Sequence, residues 1–288
     1  MSNYQITADT GCDISPEILK RWGVDYCQLT FKFDGEDKEY KNFDISTKDF
    51  YGRMRKGDSA KTSAVNPERF KELFKKYLDK GMDVLYIGFS SGISTTVNSG
   101  AIAAEELKEE YPDRKIIVVD TLAASSGCGL LLKFAVDNKR NGMTLEENAA
   151  NIESRKLGLS HWFTVDDLVY LKRGGRISPT VAFVGNLLGV KPVLHVDDEG
   201  HLINVTKVRS RKASLKMLVD KCREALPKGF SGPVFISHAD SIDDAKFTAD
   251  YFKERTGVKV ELISDVGPII GAHAGPGTIA LFAEAAHR

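Results

Sequence analysis

The sequence is poor in cysteine. Its 288 residues hold four, Cys12, Cys27, Cys128 and Cys222, and none forms a C-x-x-C pair. That argues against a zinc scaffold or a disulfide framework and fits the reduced thiols of a cytoplasmic protein. Net charge is also missing: 40 basic side chains balance 40 acidic ones, with no charged arm in either half. No global field is available to draw the chain onto nucleic acid or an anionic membrane surface. No apolar run approaches the ~18 residues of a membrane span. Met1 to Ile6 lacks the charged and apolar regions of a signal peptide. There is no Walker A lysine, and Gly127-x-Gly129 lacks a third glycine, so nucleotide binding has no support. His161, His195, His201, His238 and His287 have no ligand-like spacing and read as satisfied polar side chains. No metal and no cofactor are expected.

What is present is an alternation of short apolar runs with helical patterns. Tyr4–Ala8, Tyr26–Phe33, Val84–Gly88 and Ile116–Asp120 read as strands. Asn66-Pro67 is a helix start, followed by an apolar face at Phe70, Leu73, Phe74, Tyr77 and Leu78. Thr144 and Glu147 form a capping box that opens another helix. Such alternation predicts an α/β fold with a parallel sheet covered on both faces, a three-layer domain. Beyond about residue 158 the pattern changes. Val190–Val196 and Leu202–Val208 flank Asp197-Asp198-Glu199-Gly200 as an antiparallel hairpin. A basic helix (about 210–225), a strand Pro233–His238, a helix (about 241–256) and a strand Lys259–Ser264 follow. The expected organisation is a parallel α/β domain over 1–157 and a smaller mixed-sheet α/β domain over 158–288. A last helix after the glycine-rich turn is expected to pack back on the first domain.

Small hydroxyls collect after the strands of the first half: Asp9-Thr10, then Ser90, Ser91, Gly92, Ser94, Thr95 and Thr96, then Thr121, Ser125 and Ser126. Loops at the carboxyl ends of parallel strands line one crevice, where helix N-termini and hydroxyls together suit an anion. As single residues they would be ordinary N-caps. Gly88-Phe89-Ser90-Ser91-Gly92 also matches the G-x-S-x-G nucleophile elbow. Asp120 or Asp265 and then His273 would complete a triad, so a serine esterase using Ser90 is the alternative reading. Too few strands precede the elbow, and no His-Gly-Gly loop supplies an oxyanion hole. Gly271-Ala272-His273-Ala274-Gly275-Pro276-Gly277 is glycine-dense, which allows close backbone approach. Two basic groupings, Lys172-Arg173 with Arg176 and Lys207 through Arg209, Arg211 and Lys212, are either a solvated rim or a dock for a phosphate or an acidic partner.

Over essentially its whole length the chain resembles the DegV family of fatty-acid-binding proteins, the acyl-carrying subunits of the bacterial fatty acid kinase. The resemblance rests on Phe163 to Ser178 (with Lys172-Arg173-Gly174-Gly175-Arg176), Val190-Lys191-Pro192, Gly267 to Gly277, Thr62-Ser63 and Ser90-Ser91-Gly92-Ile93-Ser94. It departs at Thr10 and Thr121, where serine is usual, and at Thr95-Thr96-Val97, which replaces Gly-Thr-Tyr. The resemblance implies a long-chain fatty acid buried between two domains. Thr62, Ser94 and His273 would hold the carboxylate, with Ser63, Ser91, Gly92 and Gly275 around the ligand. Arg176 and Arg209 would serve a step in which a separate ATP-binding kinase subunit phosphorylates the bound acid, so this chain would carry the acyl phosphate without catalysing its formation alone. Phe31, Leu122, Phe183 and Leu187 are expected to shape the depth of the pocket.

Overall fold

The computed structural model describes residues 3–177 and 189–288. Its first part contributes β1 (Tyr4–Asp9), β2 (Asp25–Cys27), β3 (Thr30–Phe33), β4 (Tyr40–Lys41), β5 (Ala60–Ser63), β6 (Asp83–Gly88) and β7 (Ile116–Asp120). Four of them form a parallel sheet in the order β2-β1-β6-β7. Side chains along β6 alternate between the two faces, as the period of two requires. Val84 and Tyr86 pack with Phe70 and Phe74 of helix Pro67–Leu78, whereas Leu85 and Ile87 join Leu130 and Leu131 of helix Ser126–Arg140. The expected helix starts are there: Asn66 accepts from Arg69 N, and Thr144 and Glu147 cap each other reciprocally.

The run Tyr26–Phe33, expected as one strand, is broken. β2 stays in the parallel sheet, and β3 leaves to form a separate sheet, β4-β3-β5. Thr10 Oγ1 accepts from Leu29 N at 3.1 Å between the two pieces, so a long-range hydrogen bond overrides a continuous β-prone stretch. β5, which presents Thr62, carries no strong β signal in Ala60-Lys61-Thr62-Ser63 and is held by its pairing to β3.

The second part contributes β8 (Leu159–Thr164), β9 (Val190–Val196), β10 (Leu202–Arg209), β11 (Val234–His238), β12 (Leu262–Asp265) and β13 (Ile279–Glu284), in the order β10-β9-β8-β13-β11-β12. β9 and β10 are the expected hairpin. The end of the chain corrects an expectation. Ile279–Glu284 is a strand, not a helix, and sits antiparallel between β8 and β11. Its apolar run is short enough for either, and only the two waiting neighbours decide it. The last described helix is Pro268–Ala274, inside the glycine-rich segment, and it does lie against the first part. Tyr51 Oη donates to Val266 O, and Ile269 N donates to Asn42 Oδ1.

Helix Ser126–Arg140 lies between the two large sheets and touches β1 and β6 on one side, β11 and β13 on the other. Gly127 and Gly129 make this possible: a Cβ on either would fall 2.7 Å from Phe282 and 2.6 Å from Ile14 respectively. Their spacing serves packing, not phosphate binding. The far face of the second sheet is covered by helices Arg211–Ala225 and Ile242–Thr256 through Leu215, Leu218, Val219 and Phe252.

Candidate functional site

A cavity of about 430 Å³ opens where the two sheets, the 90–95 loop, β5 and helix Pro268–Ala274 meet. Its size is that of a small-molecule site, and most of its wall is hydrocarbon. Phe89, Phe163, Leu171, Val266 and Ile269 supply apolar surface, and Thr62, Ser91, Gly92, Ser94, Arg176 and His273 also line it.

At one end Thr62 Oγ1 and His273 Nε2 are 2.8 Å apart. Burial, with Arg176 nearby, holds the His273 imidazole neutral, its pKa lowered to about 4. Among the described residues His273 Nδ1 is buried without a partner, and it faces Gly174, where a Cβ would stand 2.1 Å away. An N–H at that nitrogen would be an unsatisfied donor, so the tautomer with the proton on Nε2 costs less. That tautomer donates to Thr62 Oγ1 and leaves the Thr62 O–H free to donate to an anion. Ser94 Oγ lies 2.9 Å from Thr96 Oγ1 and accepts from Thr96 N at 3.2 Å. Arg176 is half-buried, and desolvation lowers its pKa. Its Nε donates to Ile93 O at 3.2 Å and its Nη1 to Gly174 O, which fixes the guanidinium beside the hydroxyl loop.

Ser63 and Gly275, expected around the ligand, and Arg209, expected at the kinase step, are not among the described residues that line the cavity. Ser63 is exposed on β5, because neighbouring strand residues face opposite sides and Thr62 takes the inner one. Gly275 (φ +81) backs onto Tyr170, which a Cβ would meet at 2.3 Å, so its role is to let the chain pass that ring. Arg209 is exposed at the end of edge strand β10, outside the cavity. Arg211, of the same basic grouping, is tied to Asp244 and to the Gly277 carbonyl. The described wall of the cavity does not include Phe31, which packs in a ring cluster with Phe33, Tyr40 and Phe50, or Leu122. Ser178, Phe183 and Leu187 lie outside the described residues.

Ser90 is not an exposed nucleophile. It is fully buried, donates to Gly200 O at 3.0 Å and accepts from Gly92 N at 3.1 Å. Asp120 accepts from the backbone of Ser91 and Leu122, and His273 is engaged with Thr62, so the expected triad is not assembled. The elbow instead receives the β9–β10 turn. A Cβ on Gly92 would fall 2.7 Å from Glu199 O, a contact only glycine allows. Asp9 turns inward and accepts from Tyr86 Oη, Phe89 N and Gly11 N. Thr121 donates to Gly88 O at 2.8 Å. Thr10 and Thr121 therefore make hydrogen bonds open to any hydroxyl, and neither is among the described residues that line the cavity.

Residues not singled out as ligand contacts also line the cavity: Ser125 and Ser237, bonded to each other at 2.9 Å, and His161. Ser125 belonged to a hydroxyl cluster visible in the sequence. Ser237 and Asp13, to which Ser125 also bonds, had no local signal. His161 corrects an expectation, for its Nδ1 is buried with no partner among the described residues.

Comparisons with known proteins agree with this fold. The family model described as an uncharacterised protein of the DegV family matches residues 3–286. A DegV domain-containing protein of Clostridium perfringens is 41% identical over 285 residues, covering 98% of this chain and 97% of that one. A protein of Thermotoga maritima named fatty acid-binding protein is 32% identical over 289 residues, covering 99% and 98%. Among solved structures, a DegV family protein of Thermus thermophilus described as binding fatty acid superposes with a TM-score of 0.88 at 28% identity, covering 98% and 99% of the two chains. A stearic acid-binding protein of Eubacterium ventriosum superposes at 0.89 with 26% identity, covering 98% of each. With its fold and nearly its whole length shared in this way, the chain belongs to the DegV family.

Proposed function

We propose that this protein binds a long-chain fatty acid in the cavity and presents its carboxylate to a separate ATP-binding kinase subunit, which converts it to an acyl phosphate. The observation that carries the reading is the Thr62–His273 pair at the end of a largely apolar cavity. A sixteen-carbon acid buries about fourteen methylenes at ~0.8 kcal/mol each, roughly 11 kcal/mol gross. Lost translational freedom and chain ordering cancel several kcal/mol of that. The head group would be held by Thr62, Ser94 and His273. Neutral donors compensate its desolvation without the full neutralisation a bidentate arginine would impose, and the carboxylate stays nucleophilic towards a γ-phosphate.

In this reading the chain is a carrier, not an enzyme by itself. Arg176, beside the hydroxyl loop, and Arg209, exposed on β10, serve the encounter with the kinase and its phosphate. The ligand lies between two domains that divide at 157/158. The four cysteines are all buried thiols, which suits a reducing cytoplasm. Native mass spectrometry of the purified protein tests the reading: a stoichiometric long-chain fatty acid is expected. A protein that arrives empty and ignores added palmitate and oleate would rule the carrier role out.

A further inference from the structure

The helix that carries His273 has no capping side chain of its own. Pro268–Ala274 is seven residues long, too short to be stable alone, and Gly267 stands at its N-cap with nothing to accept from the first turn. The missing acceptor comes from 227 residues earlier in the chain. Asn42 Oδ1 accepts from Ile269 N at 3.2 Å, the bond that an N-cap side chain makes to the second residue of its helix. Asp13 Oδ1 accepts from Gly267 N at 2.9 Å. A Cβ on Gly267 would fall 2.9 Å from the Asn42 amide and 3.0 Å from Asp13 Oδ1, so a serine or aspartate cap has no room there.

Asn42 belongs to the sheet that presents the other half of the Thr62–His273 pair. It follows β4 directly, and its N–H donates to Leu29 O at 3.2 Å, next to β3. β3 pairs in turn with β5, where Thr62 lies opposite Phe31. One small sheet thus carries Thr62 on one edge strand and, beyond the other, the cap of the helix that bears its partner. Ile269 and His273 are four residues apart, so they share a helix face, and both line the cavity. Tyr51 packs on the turn between them, where a Cβ on Gly271 would fall 2.3 Å from its hydroxyl. Fixing Ile269 N therefore fixes the face on which the imidazole stands. Asn42 is buried and is not among the described residues that line the cavity, so its influence there passes through the helix.

We propose that Asn42 is a positioning residue for His273: by capping the helix from outside, it sets where the imidazole meets Thr62 and the ligand carboxylate. The consequence for binding rests on the fatty-acid reading above, and the effect on the ring does not.

Two measurements on delipidated protein test it. Calorimetric titration with palmitate compares wild type with Asn42→Leu, which keeps the volume and removes the acceptor, and with Asn42→Asp, which keeps an acceptor at the same reach. Asn42→Leu is expected to weaken binding about fivefold, as loss of an N-cap does, and Asn42→Asp to stay within about twofold of wild type. In a His273→Ala background Asn42→Leu is expected to cost nothing further, because a residue acting through His273 then has nothing to position. A loss of the same size with and without His273, or no loss in either, would overturn the inference. Nitrogen NMR of the ligand-free protein reads the ring itself. Wild type is expected to hold the proton on His273 Nε2, and Asn42→Leu to shift the ring signals towards a mixture of tautomers. Unshifted signals would overturn the inference whatever the ligand, whereas failure of wild type to bind palmitate would overturn the fatty-acid reading alone. Where Asn42→Leu folds poorly, Asn42→Ser, shorter by one atom, takes its place in both measurements.

Discussion

Thr62 and His273 are 211 residues apart in the chain and 2.8 Å apart in space, the one on a three-stranded sheet of the first part, the other on a helix that follows β12. The histidine's Nε2–H orients the threonine hydroxyl outward, and burial keeps the imidazole neutral as a donor.

Loss of either partner should therefore show at the head group. His273→Ala and Thr62→Val are each expected to weaken fatty acid binding at least about tenfold, since a donor to a buried carboxylate is worth about 1.5–3 kcal/mol. Titration calorimetry reads this directly, and unchanged affinity in both variants would remove the pair from the site.

Gly174 tests the same pair from behind. A methyl group there would stand 2.1 Å from His273 Nδ1, so Gly174→Ala must displace the ring. The expected result is a loss of affinity approaching that of His273→Ala with a near-native circular dichroism spectrum. Wild-type affinity would show that the ring position is immaterial.

Arg176 separates carriage from transfer. Its guanidinium donates to the carbonyls of Ile93 and Gly174, beside the proposed carboxylate donors. Arg176→Ala is expected to retain fatty acid in native mass spectrometry and to abolish acyl phosphate formation when the kinase subunit and ATP are supplied. Full phosphorylation of the variant would dismiss the docking role.

Ser90→Ala bears on the esterase alternative. Removing the hydroxyl strands the buried Gly200 carbonyl and the Gly92 N–H, at a cost of about 1–3 kcal/mol. The variant should melt lower in calorimetry, and the wild type should take up no organophosphonate. Covalent labelling at Ser90 would reinstate the nucleophile.

Asp13 makes stability depend on pH. Burial raises its carboxyl to about 8, against an unfolded value near the ordinary ~3.9 for aspartate, so the folded state holds the proton more tightly. Stability from this group is complete below about pH 4 and is lost progressively as pH rises to about 8. His273 runs the other way: its folded pKa of about 4 lies below the ordinary ~6.5, so its contribution is whole above pH 6.5 and declines towards pH 4. Between pH 6.5 and 8 Asp13 acts without that opposition. Asp13→Asn is expected to flatten the fall in melting temperature across that window, and an unaltered slope would mean that Asp13 is ionised in the folded protein.

Local chemistry was legible in the residues themselves. The capping box at Thr144 and Glu147, the N-cap at Asn66, the hairpin around Asp197–Gly200 and the parallel α/β alternation all follow from signals a few residues long. The residues proposed to hold the head group were reached differently, through a motif resemblance that brought Thr62, Ser94 and His273 forward without placing them. That Ser63 faces out while Thr62 faces in depends on the register of β5, which is set by its pairing with β3.

The sequence by itself determined the helices, most of the strands and the balanced, thiol-poor character of the chain, because caps, turns and apolar periodicity act between near neighbours. The tertiary structure alone decided that Ile279–Glu284 is a strand inside the second sheet. It alone buried Ser90 under the Gly200 carbonyl and assembled Asp13, Ser125 and Ser237 in one wall. These outcomes depend on which distant surfaces meet, and short-range preference is too weak to choose between alternatives that long-range hydrogen bonds and burial separate by several kcal/mol.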